Sequence, residues 1–200
     1  MSVVDASGKT LVTCPVGIGR GPLKQKLNMQ DCITPAGTFV IDVVLSADPK
    51  FNRIDENQKF LISKNSHFAP FVKDAKGLAK IFETMNWQDF NRDGKPDQAY
   101  GFAFFGLNGK GTGPKLISAG NSARWYSIAL HGTPNEKTAI GAATSEGCIH
   151  VQKSVLKSLL QDYKIGVGTP VHINDGTKNA SDVKRMSSSA DNKDPGRTRN

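Results

Sequence analysis

The sequence predicts a mainly β, single-domain protein with one or two helices. Three observations carry that prediction. Short apolar stretches of strand length, punctuated by Gly and Pro, recur along the first 175 residues. Only two segments, 74–85 and 152–163, space their apolar residues for a helix. A chain of 200 residues with 38% hydrophobic content is long enough for one sizeable core.

Taken in order, strands are expected at 10–14, 38–45, 101–105, 115–118, 126–131 and 169–174. The clearest is 126–131, where Tyr126, Ile128 and Leu130 alternate with Ser127, Ala129 and His131. The first helix carries Leu78, Ile81 and Phe82 on one face. The second carries Val155, Leu156, Leu159, Leu160 and Tyr163, and Gly166 follows its end. There is no internal repeat, and spacing alone leaves the sheet topology open. Residues 1–175 are expected to form the domain. Residues 176–200, with only Ala180, Val183, Met186 and Ala190 as apolar side chains, are expected to be a disordered, basic and polar tail.

The formal net charge is +8. The tail holds six basic and three acidic residues and supplies +3 of it, leaving +5 on the rest. A basic surface suits an anionic polymer or a membrane surface. Nucleic acid is the weaker reading, because no nucleic-acid motif is present. No apolar stretch approaches the length of a membrane span.

The chemistry concentrates in His131-Gly132-Thr133 and Ser145-Glu146-Gly147-Cys148-Ile149-His150. A thiol is a useful nucleophile only as thiolate, and a nearby imidazole is the usual means of making one near neutral pH. With three cysteines in the chain, one set in Ser-x-Gly-Cys-Ile reads as a nucleophile. Without such neighbours a cysteine is more often a small buried hydrophobe. Gly132-Thr133-Pro134-Asn135 is turn chemistry, which places His131 at a strand end. Cys148 lies just before the second helix, so the helix dipole is expected to favour an anionic sulfur. His150 and His172 read as structural, and His67 has no readable partner.

These two segments together resemble the signature of the L,D-transpeptidase catalytic domain (YkuD-like). Thr34-Pro35-Ala36-Gly37-Thr38-Phe39 and Gly168-Thr169-Pro170-Val171-His172-Ile173 are similar to the family's early and closing strands, in the right order. The resemblance implies a small mixed β-barrel or sandwich fold and no cofactor required for catalysis. It implies acyl transfer on peptidoglycan stem peptides through a Cys148 thioester, with His131 as base and the Gly132 carbonyl orienting the imidazole. Amides near Gly147 and Cys148 would form the oxyanion hole, with help from Tyr126. Ser145, Glu146 and His150 would border the substrate. Two residues depart from the family pattern. Glu146 replaces the usual His, bringing a charge that would raise the thiol pKa unless it is paired or points away. His150 replaces the usual Arg or Asn and offers a substrate carboxylate only a pH-dependent contact.

Outside this site, Asp89, Asn91, Asp93, Gly94 and Asp97 occupy positions 1, 3, 5, 6 and 9 of a calcium-type loop that also includes Lys95. A structural calcium ion is one reading, and an ion-free Asp/Asn/Gly turn is the other. Cys14 and Cys32 flank predicted strands and could pair in an oxidising compartment. The substrate implies action in the periplasm or cell wall, yet the N-terminus carries no basic segment followed by an apolar core. Either a signal was removed or the protein leaves by another route. The latter would suit an antibacterial effector with secretion-system and immunity-protein partners. The alternative to an enzyme is a catalytically impaired peptidoglycan-binding module. A papain-like peptidase is disfavoured, because here the His precedes the Cys.

Overall fold

The computed structural model describes residues 1–21, 31–109 and 128–174. Its elements, in chain order, are β1 (Ser2–Val4), β2 (Thr10–Thr13), β3 (Ile18–Gly19), β4 (Gly37–Ser46), β5 (Arg53–Ile54), α1 (Glu56–Ser63) and α2 (Ala75–Asn86). There follow β6 (Ala103–Gly109), β7 (Ala129–His131), α3 (Glu136–Ala139), β8 (Ala143–Ser145), β9 (Ile149–His150), α4 (Lys153–Gln161) and β10 (Pro170–Ile173). The mainly β single domain expected from the sequence is present. The expected segments 115–118 and 176–200, and residues 126 and 127 of another, lie outside the described residues.

The main sheet has the order β10-β4-β6-β7-β9, with β5 also paired to β4. Every pairing in it is antiparallel except β7 with β9. Among the described residues the main sheet does not close on itself, and the mainly β architecture with a few helices is that of the expected fold class. The two expected helices are α2 and α4; α1 and α3 are additional. Asp74 caps α2 by accepting from the Gly77 amide at 2.8 Å.

Strand β4 is buried along nearly its whole length because both its faces are covered. On one face Phe39, Ile41 and Val44 meet Leu156, Leu159 and Leu160 of α4. On the other, Val43 and Leu45 meet Leu78, Ile81 and Phe82 of α2, with Ile62 of α1 alongside. The helical spacing of those leucines is what allows each helix to cover a sheet face.

Between β4 and β6 the register slips. Ile41 pairs with Leu107 and Val43 with Gly106, leaving Asp42 without a partner across the ladder. Asp42 is therefore the extra residue of a β-bulge. Its carbonyl accepts from the Asp55 amide at 2.8 Å, at the start of α1. Its side chain is buried, and burial, followed by the charge of Asp55, pushes its carboxyl from 3.8 up to about 7. A carboxyl with a raised native pKa gives full stability below about 4 and loses it as pH rises through 7. The shift corresponds to at most on the order of 4 kcal/mol. Asp42→Asn is thus expected to raise the melting temperature at pH 8, with the gain shrinking as pH falls to 4. A pH-independent difference between wild type and variant would contradict this.

Candidate active site

The parallel pairing of β7 with β9 builds the site. Leu130 lies opposite Ile149, and His131 opposite His150. Side chains alternate along a strand, so Cys148, two residues before His150, shares a face with His150 and His131. Cys148 indeed packs on the cluster containing Ala129 and Phe104, the face covered by α1 and α2. On the other side of β7, Phe104 pairs with His131, and their rings stack at 6.2 Å. The rings of Tyr100 and His150 stand edge-on to His131 at 4.9 and 5.0 Å.

His131 is 6% exposed. Its Nδ1 lies 2.6 Å from the Gly132 carbonyl oxygen. Because a carbonyl can only accept, Nδ1 carries the proton and donates it, which leaves Nε2 with its lone pair. Burial pushes the imidazole from 6.5 down to about 4, against the Gly132 hydrogen bond and with a contribution from His150. At neutral pH His131 is a neutral base. The Gly132 amide donates to the Tyr100 carbonyl at 2.8 Å. A Cβ on Gly132 would stand 2.9 Å from the Gly101 Cα, so the glycine after the histidine lets two backbones touch.

The cysteine loop is held from three sides. Ser145, which is buried, donates through Oγ to the Cys148 carbonyl at 2.6 Å and accepts from the Gly147 amide at 3.0 Å. Thr34 donates to the Gly147 carbonyl at 2.9 Å and accepts from the Gly19 amide at 2.8 Å. Strand β3 pairs with β8, and Gly17 exchanges backbone hydrogen bonds with His150. Gly147 turns the loop at φ 132°, a conformation that favours glycine.

A family model for the L,D-transpeptidase catalytic domain (YkuD) matches residues 1–173. The chain belongs to this family. Among curated proteins none matches the chain significantly. Family membership carries cysteine-dependent acyl transfer on peptidoglycan as the activity of the class.

Glu146 points into solvent, its side chain 84% exposed, and lies 3.5 Å from Arg20. Its charge is therefore paired and directed outward. The Gly147 amide, expected in the oxyanion hole, is already engaged by Ser145. Strand β9 stands between Cys148 and α4, and the Lys153 amide in the first turn of α4 donates to Glu136 at 2.7 Å. His150 is half-buried beside His131, its pKa lowered by burial, and its Nδ1 has no partner among the described residues. Tyr126 lies outside the described residues. Thr34, Tyr100 and Phe104 are the site neighbours that sequence reasoning did not assign. Thr34 stood in a recognised motif, whereas Tyr100 lies in the turn before β6 and Phe104 within it, and neither belonged to a motif.

Away from the site, the Asp89–Asp97 segment forms a self-satisfied turn. Asp89 accepts from the Asp93 and Gly94 amides, Asn91 from Asp93, Asp93 from Lys95, and Asp97 from Phe90. No group of three His, Cys, Asp or Glu side chains in metal-binding arrangement occurs among the described residues. Cys14 and Cys32 are not joined: the Cys14 thiol faces the Met1 carbonyl at 3.8 Å, and Arg20 donates to the Cys32 sulfur at 3.0 Å.

Ser145→Ala removes both Ser145 hydrogen bonds to the loop and leaves the Gly147 amide unsatisfied in a buried position. Urea unfolding is expected to show a loss of about 1–3 kcal/mol. An unchanged midpoint would mean that the loop holds its shape without Ser145.

Proposed function

We propose that this protein is an active cysteine acyl-transfer enzyme that cuts peptidoglycan stem peptides through a Cys148 thioester. The observation that carries the reading is the desolvated, neutral His131, its Nδ1–H fixed on Gly132, on the same sheet face as Cys148. A wall-binding module has no use for a tautomer-locked base beside a thiol. The outward, paired Glu146 also removes one of the two departures that favoured such a module.

In the proposed reaction His131 Nε2 takes the Cys148 proton, and the thiolate attacks a stem-peptide carbonyl carbon. The oxyanion is stabilised by backbone around Cys148, because the Gly147 amide is occupied. The C–N bond to the terminal D-residue breaks, its nitrogen takes the proton from His131, and a thioester remains. A side-chain amine of a second stem, or water, then gives His131 a proton and attacks the thioester carbonyl. Release of the thiolate yields a cross-link or a trimmed peptide. A stem-peptide substrate supports action in the periplasm or cell wall. A calcium ion at the Asp89–Asp97 loop would be structural, since hard oxygen donors have no part in a thiolate reaction.

Tetrapeptide muropeptides incubated with wild type and with Cys148→Ala test the proposal by mass spectrometry. The expected result is loss of one D-alanine, or dimers linked between third-position residues, with wild type alone. Unchanged substrate with both proteins would favour the binding module instead.

A further inference from the structure

A second feature of the same sheet face is unused by this chemistry. Between α1, α2 and the sheet lies a pocket of about 150 Å³, with Asp42 at its floor. The bulge in β4 aims this side chain out of the ladder. Asp42 is 2% exposed, and its Oδ2 has no hydrogen-bond partner among the described residues. The side-chain oxygens of Gln58, which lines the pocket, and of Asn108, which contacts Asp42, are likewise buried and unpartnered. Such orphaned acceptors are uncommon in a settled interior.

The chemistry of the lining is one-sided. No Lys, Arg or His lines the pocket, and the nearest charge acting on Asp42 is another carboxylate, Asp55. The walls are aliphatic and aromatic, and the half-buried Ile62, Phe68 and Met85 form the rim. At the volume of roughly 30 Å³ per water-sized group, the space holds about five heavy atoms. A short aliphatic stem ending in a hydrogen-bond donor with positive charge matches that shape and those acceptors. Phe104 lines the pocket and stacks on His131, and Cys148 packs on the same apolar cluster.

We propose that this pocket is an alkylammonium subsite, in which Asp42 and Gln58 receive the side-chain ammonium of a stem-peptide diamino acid. The assignment of that occupant rests on the stem-peptide reading above; the pocket's preference for an alkylammonium does not. An ammonium in the pocket would satisfy Asp42 in its ionised form, which burial and the Asp55 charge disfavour. Binding is therefore tighter at pH 8 than at pH 5, where Asp42 holds a proton.

The test has two arms. In the first, n-butylammonium chloride is titrated into wild type and Asp42→Asn while the Gln58 side-chain amide is followed by NMR. Saturable, millimolar binding to wild type is expected, abolished in the variant and matched by neither n-butanol nor KCl. Absence of binding, binding that survives in Asp42→Asn, or equal binding of KCl would overturn the subsite. In the second arm, D-alanine release is compared for a tetrapeptide with a free third-position side-chain amine and one with that amine acetylated. Wild type is expected to favour the free amine by roughly 10- to 100-fold in kcat/KM, the size of a charged hydrogen bond. In Asp42→Asn that ratio should collapse toward one. A ratio near one in wild type, or undiminished in the variant, contradicts the stem-peptide assignment. No release from either peptide by wild type would instead sink the enzymatic reading, and the first arm would then decide the subsite alone.

Discussion

The parallel pairing of β7 with β9 is the constraint on which the site depends. It is a contact of only two residue pairs, Leu130 with Ile149 and His131 with His150. A slip of one residue would turn Cys148 to the opposite face from His131, because side chains alternate with a period of two. So short a ladder cannot hold its register alone. It is reinforced by Leu130 and Ile149 in the core beneath, by the Gly17–His150 bridge, and by Thr34 and Ser145 clasping the loop. These hydrogen bonds fix the backbone on either side of Cys148.

The same packing sets the electrostatics. Enclosing His131 among Tyr100, Phe104 and His150 removes water from the imidazole and disfavours its charged form. One acceptor, the Gly132 carbonyl, is left to choose the tautomer. At physiological pH the imidazole is therefore neutral, with the Nε2 lone pair outside the Gly132 hydrogen bond. The face that holds this base also holds the bulge-mounted Asp42. One side of the sheet thus carries His131, Cys148 and the Asp42 pocket, while α4 packs on the other side.

Much of the fold was legible because long elements leave periodic traces. The helical face of Leu78, Ile81 and Phe82 and that of Leu156, Leu159 and Leu160 were readable, as was the apolar run of β4. Strands β3, β8 and β9 were not, since two or three residues cannot establish a period. Helix α1 went unread because none of its residues is buried. At the site, Cys148, His131 and the Gly132 carbonyl were visible through local motif chemistry. Thr34 touches Gly147 across 113 positions, and such a contact has no local signature. The bulge at Asp42 depends on the register of β6 against β4, which one strand's pattern does not contain.

The central claim is that His131 activates Cys148. The most direct measurement is the rate of Cys148 alkylation by iodoacetamide between pH 5 and 9, in wild type and in His131→Ala, with the modified residue located by peptide mass. The account predicts that Cys148 of wild type reacts fastest among the three cysteines near pH 7. It also predicts that His131→Ala shifts the reaction toward the pH range of an ordinary thiol, around 8.5. Identical profiles for the two proteins would show that the imidazole does not act on the sulfur, and the proposed mechanism would fall.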